Sequence, residues 1–218
     1  MDPPRRSALV KIGIIGAGGI GQAFASQMAK AGFDVILSNS RGPDSLGEAV
    51  SRLGAHVKAG TREQAASADV VFLSVPWPEV RTALSSLPDW NGRILIDATN
   101  PVVQPGFQLA DLGGRNSSEV VASIASGARV VKTANTLLRA MLAADPNVAG
   151  GHRVLFVSGD DADAKATVTA MLEKAGFAVI DLGSLAVGGK LQQFPGGPLP
   201  TLNLIQLERD RQEAPANG

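Results

Sequence analysis

The chain has 218 residues, 20 Lys+Arg against 20 Asp+Glu for a formal net charge of zero, and 44% hydrophobic residues. This length suits one α/β domain with a small appendage, not two full domains, and the charge balance gives no electrostatic reason to expect a nucleic acid or an anionic membrane as partner. The absence of cysteine rules out disulfides and a thiolate nucleophile, and His56 and His152 alone do not suggest a metal site, so the expectation is a metal-free cytoplasmic protein.

Residues 1–9 read as a leader and 208–218 as a polar tail, both expected to be disordered. Arg5-Arg6 before an apolar stretch, with Ala23-Phe24-Ala25 after it, outlines a signal peptide, but Lys11 and the glycines there fit a strand entering a turn better. No uninterrupted apolar run of about 18 residues is present to span a bilayer.

Strands are expected near 10–15, 34–38, 55–58, 69–75, 93–97, 129–132, 153–158 and 178–182. The first helix carries Ile20, Ala23, Phe24, Met28 and Ala31 on one stripe and stops at Gly32. A second stripe, Leu46, Ala49, Val50 and Leu53, stops at Gly54, and a third helix opens on Asn116 and Glu119 at capping-box spacing. Lys30-Ala31-Gly32-Phe33 returns as Lys174-Ala175-Gly176-Phe177, two helix stops that each lead into a buried strand. The segments 101–114 and 183–200, rich in glycine and proline, read as long loops suited to substrate contacts.

Alternating strands and helices imply a mainly parallel sheet. Directly after the first strand and opening the first helix stands Gly16-Ala17-Gly18-Gly19-Ile20-Gly21. Its three motif glycines permit a tight turn, a close backbone approach to a pyrophosphate, and close helix-strand packing, while the helix N-terminus favours the anion. The fold expected is therefore α/β, a Rossmann-type doubly wound sheet with helices on both faces, spanning 10–182, followed by a small C-terminal extension, 183–207, for acceptor or dimer contacts. Leu199, Leu202, Leu204 and Ile205 in that extension are candidates for closing a homodimer.

The end of the second strand selects the nucleotide. It reads Ser38-Asn39-Ser40-Arg41, without the carboxylate that would bond a ribose 2′-hydroxyl, and Arg41 with Asn39 and Ser40 suits a 2′-phosphate, so NADP(H) is the expected cofactor. Ser74, Val75 and Pro76 end the fourth strand, and Ala98, Asn100 and Pro101 follow the fifth, all at strand ends that face the same crevice.

With these motifs, Lys132-Thr133-Ala134-Asn135-Thr136 and Val157-Ser158-Gly159-Asp160-Asp161 in order, the chain resembles the NADPH-dependent reductases of the deazaflavin coenzyme F420, from about Lys11 to about Leu191. The resemblance implies that Ser40 and Arg41 hold the 2′-phosphate, that Ser74, Val75 and Pro76 line the nicotinamide, and that a deazaflavin or flavin is the second substrate. The same domain type occurs in NADPH-dependent metalloreductases. The sequence departs from the family's pattern after Gly188.

Hydride transfer between a nicotinamide and a flavin-like ring needs face-to-face placement more than a protein acid, and this chain has no tyrosine. His56, expected on the third strand, and His152, expected before the seventh, have no catalytic setting. Lys132 and Asn135 resemble the catalytic pair of β-hydroxyacid dehydrogenases and are the candidate catalytic residues, although that class carries a large helical second domain. The leading expectation is an NADP(H)-dependent oxidoreductase with a small-molecule hydride acceptor or donor. The alternatives are a non-catalytic NADP(H) sensor, and a carbonyl or imine reductase that uses Lys132 as acid.

Overall fold

The computed structural model describes residues 10–148 and 150–208. The expected disorder of 1–9 and of 209–218 lies outside the described residues. Glu208, the one described residue of that tail, donates its backbone N–H to the Gly150 carbonyl.

The first half of the chain alternates β1 (Ile12–Ile15), α1 (Gly19–Lys30), β2 (Val35–Ser38), α2 (Gly47–Leu53), β3 (Val57–Ala59), α3 (Arg62–Ala66), β4 (Val70–Leu73), α4 (Val80–Leu84) and β5 (Ile94–Asp97). A small hairpin of β6 (Val102–Val103) and β7 (Gln108–Leu109) follows, then α5 (Ser117–Ile124), β8 (Arg129–Lys132), α6 (Arg139–Ala143) and β9 (Asn147–Val148). The chain continues through β10 (Gly151–Gly159), α7 (Ala162–Lys174), β11 (Ala178–Asp181), α8 (Leu185–Gln192) and β12 (Ile205–Leu207).

The main sheet runs β11-β10-β8-β5-β4-β1-β2-β3. The six strands from β8 to β3 are parallel; β10 reverses against β8 and pairs parallel with β11. Within the strands, neighbouring residues alternate between two cores, as a sheet covered on both faces requires. Ile12, Ile14, Phe72 and Ile96 join Phe24 and Met28 of α1 and Leu142 of α6 on one face. Ile15, Val71, Leu73 and Leu95 join Ala65 of α3, Val80 of α4 and Val121 of α5 on the other. Phe24 and Phe72 stack with ring centroids 3.9 Å apart, fixing α1 over β4. The doubly wound α/β expectation is the observed architecture. Among the described residues no helix is long and apolar enough to cross a membrane.

Several local expectations are corrected. His56 lies in the turn before β3, exposed, with Nδ1 3.2 Å from Asp34 Oδ1. His152 lies within β10, its Nδ1 3.0 Å from the Gly176 carbonyl oxygen. The 101–114 loop contains the β6-β7 hairpin, and the 183–200 loop contains α8, which is capped by Ser184. Glycine at 188 and 189 hides a helix from propensity but lets α8 pack closely, since a Cβ at 188 would press on Ser158 and Leu182 and one at 189 on Asn116. The proposed dimer residues are partly engaged within the chain: Ile205 pairs with Arg153 on β10, and Leu199 packs against the cluster of Val154, Phe156 and Ala178.

Candidate functional site

β1 and β4 are adjacent and parallel, yet the chain leaves them toward opposite faces, into α1 and α4 respectively. The divergence opens a crevice beyond their carboxyl ends, the place where doubly wound sheets bind ligands. A cleft of about 820 Å³ lies there. A smaller cavity of about 220 Å³, lined by Gln27, Lys30, Asp145 and Lys174, sits at the far end of α1, away from the strand ends.

The glycine turn forms one wall of the cleft, and its glycines differ in what they face. Gly16 has φ of 112°, and a Cβ there would overlap the Ser74 carbonyl of the neighbouring strand; its N–H donates to the Ser38 carbonyl at 3.0 Å. A Cβ on Gly21 would overlap the Gly16 carbonyl oxygen. Gly18 is the contrast: it is exposed, and a Cβ there would meet nothing within 4 Å. Close packing therefore accounts for Gly16 and Gly21 but not for Gly18, which is the N-cap of α1 and leaves the backbone there open to the cleft. Gln22 Nε2 donates to the Ala17 carbonyl at 2.7 Å and steadies the turn.

The N-terminus of α1 has no side-chain cap and no acidic residue in its first turn. Thr61, Asn116, Asp161 and Ser184 cap α3, α5, α7 and α8, while α2, α4 and α6 share with α1 the lack of a side-chain cap. What sets α1 apart is that it opens directly after the Gly16–Gly18 wall of the cleft, a setting suited to a phosphate.

Opposite the turn, Asn39 Oδ1 accepts the Arg41 backbone N–H at 2.9 Å, and Nδ2 donates to Ser45 Oγ at 2.9 Å. Asn39 thereby shapes the loop, while Ser40 and Arg41 stand exposed on the cleft wall and Arg41 takes part in no ion pair among the described residues. Ser38 is buried and donates its hydroxyl to the Ile14 carbonyl.

Ser74, Val75 and Pro76 line the third side. Gly19, Ile20 and Gly21 lie behind the turn in α1 and do not line the cleft, nor do Ala98, Asn100 and Pro101 beyond β5. Ala98 and Pro101 are buried, and Asn100 Nδ2 donates to the Asn135 carbonyl at 2.9 Å.

Sequence reasoning missed Thr61, Arg62 and Glu63, which complete the cleft beyond β3. The signal was present: Thr61 and Gln64 form a capping box directly after the third strand. Arg62 donates to the Thr82 carbonyl at 2.8 Å and lies 3.2 Å from Glu63 Oε1. The Glu63 carboxyl is held below its ordinary range by the backbone N–H and the Thr61 hydroxyl, and Arg62 adds to this.

Lys132 and Asn135 are brought together, but in the interior. Lys132 Nζ has no exposure and donates to Thr99 O at 3.1 Å, Ser117 Oγ at 3.2 Å and Asp97 Oδ2 at 3.3 Å. Asn135 Nδ2 donates to Asn100 Oδ1 and to the Gln192 carbonyl, at 2.9 and 2.7 Å. Gln192, fully buried at the end of α8, accepts the Ser158 hydroxyl at 2.6 Å and donates to the Phe156 carbonyl at 3.2 Å. In this arrangement Lys132 ties β8 to the end of β5 and to α5, Asn135 ties the loop after β8 to the end of α8, and neither lines the crevice.

Residues 11–101 match the family model described as NADP oxidoreductase, coenzyme F420-dependent. Metalloreductase STEAP3 of Rattus norvegicus is 31% identical over 199 residues, which cover 90% of this chain; the chain spans only 38% of that relative's length. A crystal structure of a hypothetical protein, SMa0349, from Sinorhizobium meliloti shares 46% identity at a TM-score of 0.87, covering 91% of this chain and 96% of that one. A candidate F420-dependent NADP reductase from Arthrobacter sp. FB24 shares 29% identity at a TM-score of 0.70, covering 83% and 88%.

Proposed function

We propose that this chain, which belongs to the Rossmann-type NADP oxidoreductase family, exchanges hydride between NADP(H) and a flavin-like or deazaflavin ring. The observation that carries the proposal is the bare Gly18 at the uncapped α1 N-terminus, in one cleft with the unpaired Arg41. NADP(H), when bound, supplies the transferable hydride.

In this reading, the open N–H groups of the Gly16–Gly21 turn take the pyrophosphate, and Ser40 and Arg41 take the 2′-phosphate as charge-assisted hydrogen-bond donors. Arg62, turned by Thr82 and Glu63, completes the basic wall. Val75 and Pro76 offer an apolar surface beside the nicotinamide and help keep water from it. Ala98, Asn100 and Pro101 act from behind this surface, supporting the end of β5.

A ring acceptor fits the chemistry because hydride passes between two stacked rings with the proton supplied by solvent, so no protein acid is required. The sealing of Lys132 from solvent disfavours the carbonyl or imine reductase alternative. The candidate F420-dependent NADP reductase is named for a deazaflavin partner, which supports a ring acceptor, whereas Metalloreductase STEAP3 is named for a metal acceptor.

The test is stopped-flow mixing of the NADPH-loaded protein with FMN, FAD, riboflavin and a deazaflavin, following the 340 nm absorbance. At least one ring should oxidise NADPH far faster than NADH. Tight NADPH binding with no oxidation by any of them would favour a sensor instead.

A further inference from the structure

The fourth residue of the glycine turn, Gly19, is not required by strand-helix packing, and α1 would tolerate a better helix former at its first position. What occupies its Cβ position is the side chain of Arg139: a Cβ on Gly19 would overlap Arg139 Cδ and lie 3.4 Å from Nε. The stem of Arg139 therefore crosses the first turn of α1, and its guanidinium stands beside the open α1 N-terminus.

Arg139 is held there by the fold. It opens α6, and α6 is fastened to α1 by Gln27 Nε2, which donates to the Leu142 and Ala144 carbonyls at 2.9 and 2.6 Å. The preceding loop from Thr133 to Leu137 is buried, and its Thr136 carbonyl accepts the Thr201 N–H at 2.8 Å. Arg139 itself is exposed and belongs to no ion pair among the described residues. The docked helix α6 thus carries an unneutralised guanidinium to the first turn of α1, next to the Gly16–Gly18 wall of the cleft though not among the residues that line it.

We infer that Arg139 is a cofactor-binding residue that clamps the nucleotide's pyrophosphate against the α1 N-terminus, from the side of the turn opposite Arg41. A planar guanidinium can engage two phosphate oxygens at once, which a lone helix N-terminus cannot do with comparable charge. The inference rests on the reading that NADP(H) lies on this turn, and it divides the anion between two arginines: Arg41 for the 2′-phosphate and Arg139 for the pyrophosphate.

Titration of the full-length protein and its Arg139→Ala, Arg139→Lys and Arg41→Ala variants with NADPH, NADH and adenosine 2′-monophosphate separates the two roles. Arg139→Ala should weaken NADPH and NADH equally, by roughly tenfold or more, and leave adenosine 2′-monophosphate unchanged. Arg139→Lys should recover part of the loss. Arg41→Ala should show the reverse selectivity. Unchanged affinity of Arg139→Ala for both dinucleotides, or an equal loss for the monophosphate, would overturn the inference while leaving the NADP(H) reading intact. Failure of the unmodified protein to bind NADPH would overturn both. Arg139 is exposed, so the variant should keep its fold, and a thermal melt in the absence of nucleotide checks that.

Discussion

Lys132 Nζ and Asp97 Oδ2 lie 3.3 Å apart, and neither side chain exposes any surface. The pair joins the ends of two adjacent parallel strands, β5 and β8, in register, since Asp97 and Lys132 are Cα partners. Asp97 also accepts the Ser118 hydroxyl at 2.6 Å and the Thr99 hydroxyl at 2.6 Å, so the charge is surrounded by donors. Removing one partner would leave the other buried without compensation. Lys132→Met or Asp97→Asn should therefore lower the unfolding free energy by about 3–5 kcal/mol in a urea titration. The folded fraction of Lys132→Met should retain NADPH affinity and its hydride-transfer rate. A variant of full stability that had lost only the chemical step would instead restore Lys132 as a catalytic acid.

Arg41→Ala should weaken NADPH by about 1.5–3 kcal/mol, the range for a hydrogen bond to a charged group, and leave NADH nearly unaffected. Arg41 is exposed at the cleft, so thermal stability without ligand should not change. Isothermal titration with both nucleotides checks the selectivity, and equal losses would reassign Arg41.

The glycines of the turn should separate by phenotype. Gly18→Ala meets open space, so the melting temperature should stay within a degree or two while dinucleotide binding falls at least about tenfold, because the new methyl would stand where the pyrophosphate approaches. Gly21→Ala collides with backbone, and neither partner can give way as a flexible side chain would. It should cost about 1–3 kcal/mol or more of stability. Melts and binding measured on the same two variants decide the matter.

Asp181 is the clearest case of pH-linked stability. Partial burial tends to raise its carboxyl, but Lys165 Nζ at 2.8 Å and the Gly183 N–H at 2.8 Å outweigh that and hold it below the ordinary value. A carboxyl depressed in the folded state stabilises above its unfolded pKa, and the contribution is lost as pH falls through the folded value. Since Asp181 is about half exposed, Asp181→Asn should cost at most about 1 kcal/mol at neutral pH. The difference from the unmodified protein should shrink to nothing in melts taken well below pH 4.

The parallel half of the sheet and the position of the turn are legible in the local pattern of the chain. Four-residue apolar runs bounded by turn residues, such as Val70-Val71-Phe72-Leu73, fit strands buried on both faces, and a glycine turn between such a run and an amphipathic stripe fits a phosphate-binding turn better than a purely structural one. The sequence also places Ser40 and Arg41 after the second strand, at the cleft they line, because that position follows from local chain order.

What it could not show depended on distant partners. Glycine and proline dominate the neighbourhood of α8 and give it the local pattern of a loop, while the helix is held by distant partners, Asn116 at the start of α5, Asn135 after β8, and Phe156 of β10, which accepts from Gln192. The spacing of Lys132 and Asn135 makes them catalytic candidates, and only the fold shows that Lys132 is sealed against Asp97. Thr61 and Arg62 came to the cleft because β3 pairs beside β2, and Arg139 came to Gly19 because α6 docks on α1. Backbone periodicity and glycine placement are local properties of the chain and can be read in order. The environment of a charge depends on which residues the completed fold brings against it, and for this protein the tertiary structure decided that.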